Sequence, residues 1–326
     1  METYWPSSKP DATALIAAAT EFFKLLKGAA ASLAIPPSPT MNIRPLLFPI
    51  VLAAAVMAAH ADDARPVVTD SNATPEMPAN PNLPTLYVVG DSTANSNAPL
   101  RGWGSEIGAF FDPAKINVIN RAIGGRSSRT FITEGRWDKV LAELKAGDFV
   151  MVQFGHNDVG DYRDPKAKGR PSLHGEGEDT AQALKADQKT METIHTFGWY
   201  MRKYAQDAKA KGATVILLSM VPHKDWMGAQ IKRDEQTTFL KWTRDAAQTT
   251  GVLFIDTNTI IAKGLERLGP DKVNALFGDL RTHSTPEGAK YNASAVVVGL
   301  KGLDPDPLAN DFSAQADTLP PTLTQN

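Results

Sequence analysis

The chain has 326 residues, 42% hydrophobic and 21% charged, which are ordinary values for a globular protein and enough for one large folded domain. A formal charge of -2 provides no basic surplus of the kind that nucleic acid or an anionic membrane surface would favour. Cysteine is absent, which excludes disulfide staples, thiol nucleophiles, zinc thiolates and redox pairs.

Residues 1–40 contain ALIAAATEFFKLLKGAAA, the pattern of a short amphipathic helix, cut off from the rest by Pro36, Pro37 and Pro39. From Met41 the chain reads MNIRPLLFPIVLAAAVMAAHADDARP. Arg44 forms a positive n-region, an apolar run extends from Pro45 to Ala59, and Ala59-His60-Ala61 forms a small-residue cleavage site. This predicts a secretory signal over Met41–Ala61 and a mature, mildly acidic, secreted or periplasmic chain that begins at Asp62. Residues 1–40 are then upstream sequence wrongly included. The apolar run is short for a bilayer span and broken by Pro49, so no membrane attachment is expected after cleavage.

Residues 62–84, with Pro66, Pro75, Pro78, Pro81 and Pro84 among small polar residues, read as a linker. Residues 304–326 read as a disordered tail by the same composition, which leaves a folded domain over 85–303, expected to be a monomer. Within it, short apolar runs alternate with segments of helical period. The strands expected are TLYVV (85–89), INVI (116–119), DFVMVQF (148–154), TVILLSM (214–220) and VLFI (252–255). None alternates strictly, as expected for burial on both faces. Helices are expected over Arg101–Phe111, Gly135–Ala146, Gln188–Lys211, Asp234–Thr249 and Pro286–Leu300. The pattern predicts an α/β fold: a three-layer α/β/α sandwich around a five-stranded parallel sheet of flavodoxin-like type. Such sheets bind ligands beyond the carboxyl ends of their strands.

Polar, reactive blocks follow those strand ends: GDSTAN after the first strand, NRAIGGRSSRTF after the second, GHND after the third, and GDLRTHSTPEGA before the last helix. Taken alone, a Ser at a strand-to-turn junction is usually a cap, and an Asn after a strand is usually a turn former. Together the four blocks resemble the SGNH or GDSL hydrolase superfamily, and their wording is close to the rhamnogalacturonan acetylesterase-like family. GWGSEIGAFF, RPSLHGEGEDT, HTFGWYMRKY and VPHKDW also look like that family, so the resemblance covers residues 85–300.

The resemblance implies a serine esterase that needs no cofactor and no metal. Ser92 is then the nucleophile and His283 the general base that takes its proton and returns it to the leaving alcohol. The implied oxyanion donors are the backbone amides of Ser92 and Gly125 and the side-chain amide of Asn157. His156 reads as structural. The family has an Asp three residues before its His, whereas here Asp279 stands four before His283 and Leu280 takes the expected place. Either the loop bulges and Asp279 still reaches the imidazole, or a backbone carbonyl orients the ring and the enzyme works as a dyad.

The substrate implied is an acetylated plant polysaccharide, most closely rhamnogalacturonan. Arg126 and Arg129 stand next to Gly125 as candidate contacts for its carboxylates, because Arg binds a carboxylate bidentately; surface salt bridges are the alternative. The polar segment Arg163–Asp187 is long for a connection and is expected to border the cleft. Trp103, Trp137 and Trp226 either stack on sugar rings or pack in the core. Two other activities fit the same blocks: a lipase or thioesterase-like esterase on small acyl esters, and an inactive carbohydrate-binding protein suggested by the altered Asp-His spacing.

Overall fold

The computed structural model describes residues 79–320. The upstream extension, the signal segment and residues 62–78 of the linker lie outside the described residues, as do the last six.

In chain order the elements are β1 (Thr85–Gly90), two 3-10 turns (Trp103–Ser105 and Ile107–Phe110), β2 (Asn117–Asn120), α1 (Ser128–Thr133), α2 (Arg136–Glu143) and β3 (Phe149–Gln153). Next come a 3-10 turn (Pro165–Ala167), β4 (Thr180–Leu184), β5 (Met191–His195), α3 (Phe197–Ala210), β6 (Thr214–Leu218), β7 (Trp226–Met227) and β8 (Gln230–Ile231). The chain continues through α4 (Asp234–Thr250), β9 (Leu253–Ile255), α5 (Thr257–Leu268), α6 (Pro270–Asn274), α7 (Pro286–Lys301) and α8 (Ala314–Asp317).

The five expected strands form one parallel sheet in the order β2-β1-β3-β6-β9. The strand order reverses between β1 and β3, so the crevice between their carboxyl ends is the topological switch point. Every residue of β1 is buried. Leu86 and Val88 join Met151, Ile216 and Leu218 on the face covered by α5 and α7. Tyr87 and Val89 join Val150, Val152, Val215 and Leu217 on the face covered by α2, α3 and α4. This two-sided burial, at about 1.5–3 kcal/mol per large apolar side chain, explains why the strands read as continuous apolar runs.

Three expectations need correction. Residues 188–211 are not one helix, because Met191–His195 form the second arm of an antiparallel hairpin with β4. Thr196 then caps α3 by accepting the Trp199 N–H at 3.1 Å. The apparent helical period runs across that cap, and Met191, inside the expected helix, is 54% exposed. The expected helix over Arg101–Phe111 is two 3-10 turns, which still turn Trp103, Ile107 and Phe110 into the core.

The third correction concerns the tail, which is packed as far as Pro320. Leu308 and Ala316 are fully buried, Phe312 lies against Phe111 with ring centroids 5.3 Å apart, and Ser313 donates its N–H to Phe110. Sparse apolar residues placed among prolines and aspartates hold it, a pattern that composition averages away. Helices α1, α5 and α6 were not anticipated. Among the described residues no helix is long and apolar enough to cross a membrane.

Candidate active site

Ser92 stands two residues beyond β1, in a turn where Ala94 and Asn95 both donate their N–H groups to the Asp91 carbonyl. In such a turn the second residue's N–H has no partner within the turn and points outward. Asp91 locks this geometry: its Oδ1 accepts from the N–H and the hydroxyl of Thr93, each at 2.8 Å, and the side chain is fully buried. Beneath the turn, the fully buried Gln153 at the end of β3 accepts from Trp103 Nε1 at 2.8 Å and donates to the Ser219 carbonyl at 3.0 Å.

The loop Gly278–Thr285 brings the imidazole to this hydroxyl. His283 Nε2 lies 2.8 Å from Ser92 Oγ, although 191 residues separate the two. On the other side of the ring, Nδ1 lies 2.5 Å from Asp279 Oδ2. The extra residue is absorbed by a turn wrapped around the carboxylate, whose Oδ1 accepts the backbone N–H groups of Arg281, Thr282 and His283 at 3.0, 2.7 and 2.9 Å. Leu280 is displaced outward and is 86% exposed.

Partial burial works against the Asp279 charge, but those N–H groups and the His283 side chain outweigh it and hold the carboxyl down at about 2. An ionised carboxylate only accepts, so Nδ1 carries the hydrogen and Nε2 presents its lone pair to the Ser92 hydroxyl. The loop bulges, and Asp279 reaches the imidazole despite the extra residue.

Gly125 and Asn157 come to the same rim. Ile123 donates its N–H to the Gly90 carbonyl, and Asn95 Nδ2 donates to the Ala122 carbonyl at 2.8 Å, which ties the second block to the end of β1. Arg126 N–H closes a turn onto the Ile123 carbonyl with Gly125 at its third position and φ +77. A positive φ there is the type II arrangement that calls for glycine. A Cβ on Gly125 would meet nothing within 4 Å, so backbone conformation selects the glycine rather than any crowding by protein atoms. Gly124 is the closer approach, since its Cβ would stand 3.6 Å from the Cβ of Ser92. Asn157 Nδ2 donates to the Arg126 carbonyl at 3.1 Å, and its Oδ1 accepts from Arg170 Nη1 at 3.1 Å.

Below these residues lies a second tier of polar groups. His156 Nε2 faces the Val221 carbonyl at 3.0 Å and Nδ1 faces Asp91 Oδ2 at 3.4 Å, which agrees with a structural role. His223 packs against it with ring centroids 5.1 Å apart and accepts from Arg281 at Nδ1. Burial, reinforced by the nearby His156 and Arg281, pushes His223 down to about 3, so it is neutral over the ordinary pH range. Asp158 accepts from the Ser128 hydroxyl at 2.5 Å and from its N–H at 3.1 Å, and burial raises the carboxyl to about 6.

The two arginines divide. Arg126 remains partly exposed beside the rim, with Nε on Glu134 at 3.0 Å and Nη1 on the Gly124 carbonyl at 3.0 Å. Arg129, expected as a substrate contact, is fully buried and therefore is not one. It pairs with Glu192 of β5 at 2.6 Å and donates to the Pro171 and Leu184 carbonyls. Burying that charge is tolerable only because each part of the guanidinium is matched. Trp103 and Trp137 are likewise core residues, and Trp226 is half-buried.

The Arg163–Asp187 segment folds into the hairpin's first arm, and the pocket of about 320 Å³ that it lines with Tyr162, Gln188 and Met191 contains none of Ser92, Gly125, Asn157 and His283, so it is not the catalytic cleft that the segment was expected to border. Arg170, within the quoted RPSLHGEGEDT stretch, received no role at the sequence level. Its only signal there was a cation close to GHND in the chain.

The GDSL-like Lipase/Acylhydrolase family matches residues 88–291, most of the described region. A rhamnogalacturonan acetylesterase of Emericella nidulans is 35% identical over 211 residues, covering 65% of this chain and 82% of its own length. A probable rhamnogalacturonan acetylesterase of Bacillus subtilis, YesY, is 30% identical over 67% of this chain and 93% of its own. Among solved structures, the crystal structure of Bacillus subtilis YxiM matches with a TM-score of 0.53 at 27% identity over 68% of this chain; the match spans 56% of YxiM.

Proposed function

This chain belongs to the GDSL-like lipase/acylhydrolase family and is a carboxylic ester hydrolase; from that premise we propose that it is an exported acetylesterase acting on rhamnogalacturonan by a Ser92-His283-Asp279 acyl-enzyme mechanism. The observation that carries the mechanism is the unbroken line of contacts from Asp279 Oδ2 through both ring nitrogens of His283 to Ser92 Oγ. The choice of substrate rests on the two acetylesterase relatives.

In this reading Ser92 Oγ attacks the acetyl carbonyl as its proton passes to His283 Nε2. Asp279 holds the resulting imidazolium in place and compensates its charge without taking the proton. The negative charge gathering on the former carbonyl oxygen is received by the N–H groups of Ser92 and Gly125 and by Asn157 Nδ2–H. Collapse of the tetrahedral species breaks the bond to the sugar oxygen, which leaves with the proton from His283. Water then gives up a proton to the same imidazole, attacks the acetyl-enzyme, and frees acetate and Ser92. Arg126, the one of the two expected arginines that is left partly exposed at the rim, is the candidate for contact with a galacturonate carboxylate. The leader pattern over Met41–Ala61 is what supports export in this reading.

The test is acetate release from acetylated rhamnogalacturonan, acetylated xylan and p-nitrophenyl acetate by the purified enzyme. A kcat/KM on rhamnogalacturonan well above that on xylan is expected, and equal rates on both polymers would defeat the substrate assignment. Mass spectrometry of the exported protein is expected to find a chain beginning at Asp62; a mature chain that retains Met1–Thr40 would overturn the leader assignment.

A further inference from the structure

The geometry points to Arg170 as a positioning residue that fixes which end of the Asn157 amide faces the Gly125–Arg126 turn; this rests on the oxyanion role proposed above for Asn157. The two ends of a side-chain amide have nearly the same shape and opposite polarity. Only the nitrogen end stabilises a developing oxyanion, whereas a flipped amide would turn lone pairs toward the growing charge. Two partners of fixed character decide the orientation. The Arg170 guanidinium, which can only donate, holds Oδ1 at 3.1 Å, and the Arg126 carbonyl, which can only accept, holds Nδ2 at 3.1 Å. Nδ2 has a second hydrogen that this arrangement leaves for substrate. The positive charge on Oδ1 also draws density from the amide and makes that N–H a stronger donor.

Arg170 is itself held from both sides. Its Nε donates to the Ala167 carbonyl at 3.2 Å. Gly169 before it adopts φ +63 so close to the hairpin that a Cβ would stand 2.6–2.8 Å from backbone atoms of Leu184, Lys185 and Ala186. The Pro171 carbonyl after it accepts from the buried Arg129 at 3.0 Å. The hairpin insertion thus reaches the catalytic rim through the Arg170 side chain.

The test is a double-mutant cycle on p-nitrophenyl acetate, using Asn157→Ala, Arg170→Met, their combination, and Arg170→Lys. Asn157→Ala should lower kcat roughly a hundredfold or more, the scale of one lost oxyanion donor. Arg170→Met should lower kcat on the order of tenfold with KM nearly unchanged, and Arg170→Lys should recover part of that loss, because an ammonium keeps the charge without the planar fork. In the Asn157→Ala background, Arg170→Met should cost nothing further.

The same factor lost in both backgrounds, or full kcat in Arg170→Met, would overturn the positioning role while leaving Asn157 as a donor. Full kcat in Asn157→Ala would overturn the oxyanion reading and this inference with it. Thermal unfolding accompanies each variant, and should Arg170→Met not fold, Arg170→Lys with and without Asn157→Ala closes the same cycle.

Discussion

The rim that carries Ser92, Gly125 and Asn157 and the insertion between β3 and α3 are fixed by different physics. The rim hangs on short turns attached to fully buried strands, and its polar groups are held mostly by backbone donors and acceptors. The insertion has little core of its own: Met191 is exposed and of the hairpin arms only Ala183 and Ile194 are buried. It is fastened by a buried ion pair, Arg129 to Glu192, and by the carbonyls that share the same guanidinium. The reactive groups are therefore mounted on turns anchored to the buried sheet, while the insertion is attached by a few charged contacts.

Substitutions on the two sides should give unlike results, and the largest effects belong to the rim. Ser92→Ala should lower kcat roughly a millionfold with stability nearly unchanged, read by acetate release alongside thermal unfolding. Asp279→Asn should lower kcat roughly ten-thousandfold by favouring the wrong imidazole tautomer. A loss within about tenfold would mean that backbone groups orient the ring, and the rim would then rely less on its carboxylate than its geometry indicates.

Arg129→Met should act on the opposite quantity. Leaving Glu192 buried without its partner should cost about 3–5 kcal/mol in urea unfolding, and adding Glu192→Gln should return part of it. The smallest effect concerns pH. Between its ordinary value of 6.5 and about 3, the unfolded chain binds a proton that the neutral His223 of the folded protein refuses, so stability falls as pH falls through that window. The slope is at most about 1.4 kcal/mol per pH unit, and His223→Gln should flatten thermal unfolding profiles between pH 6 and pH 4.

Legibility in the sequence followed the same division. The five parallel strands were readable because two-sided burial demands unbroken apolar runs, and the four blocks because reactive residues cluster at one edge of such a sheet. The hairpin was not: its arms lie partly in solvent and lack a strong period, and the stripe through Met191 and Ile194 imitates the helix that begins only after Thr196. Arg129 was misjudged for a related reason. An arginine near a candidate oxyanion glycine looks available to a ligand until the carboxylate that engages it, 63 residues away in the chain, is brought to its side. The Asp279 spacing appeared to be a defect because a count of residues carries no turn geometry, and one carboxylate oxygen accepting three consecutive N–H groups shortens the path.

The separation of 191 positions between Ser92 and His283 also bears on when the enzyme becomes active. On the roles proposed for Ser92 and His283, a growing chain carries its nucleophile early but lacks its base until the loop before α7 is made, and the antiparallel bridge from Arg101 to Ser284 needs that loop in place. On that mechanism, hydrolysis waits until the loop that carries His283 has been made and docked against Arg101.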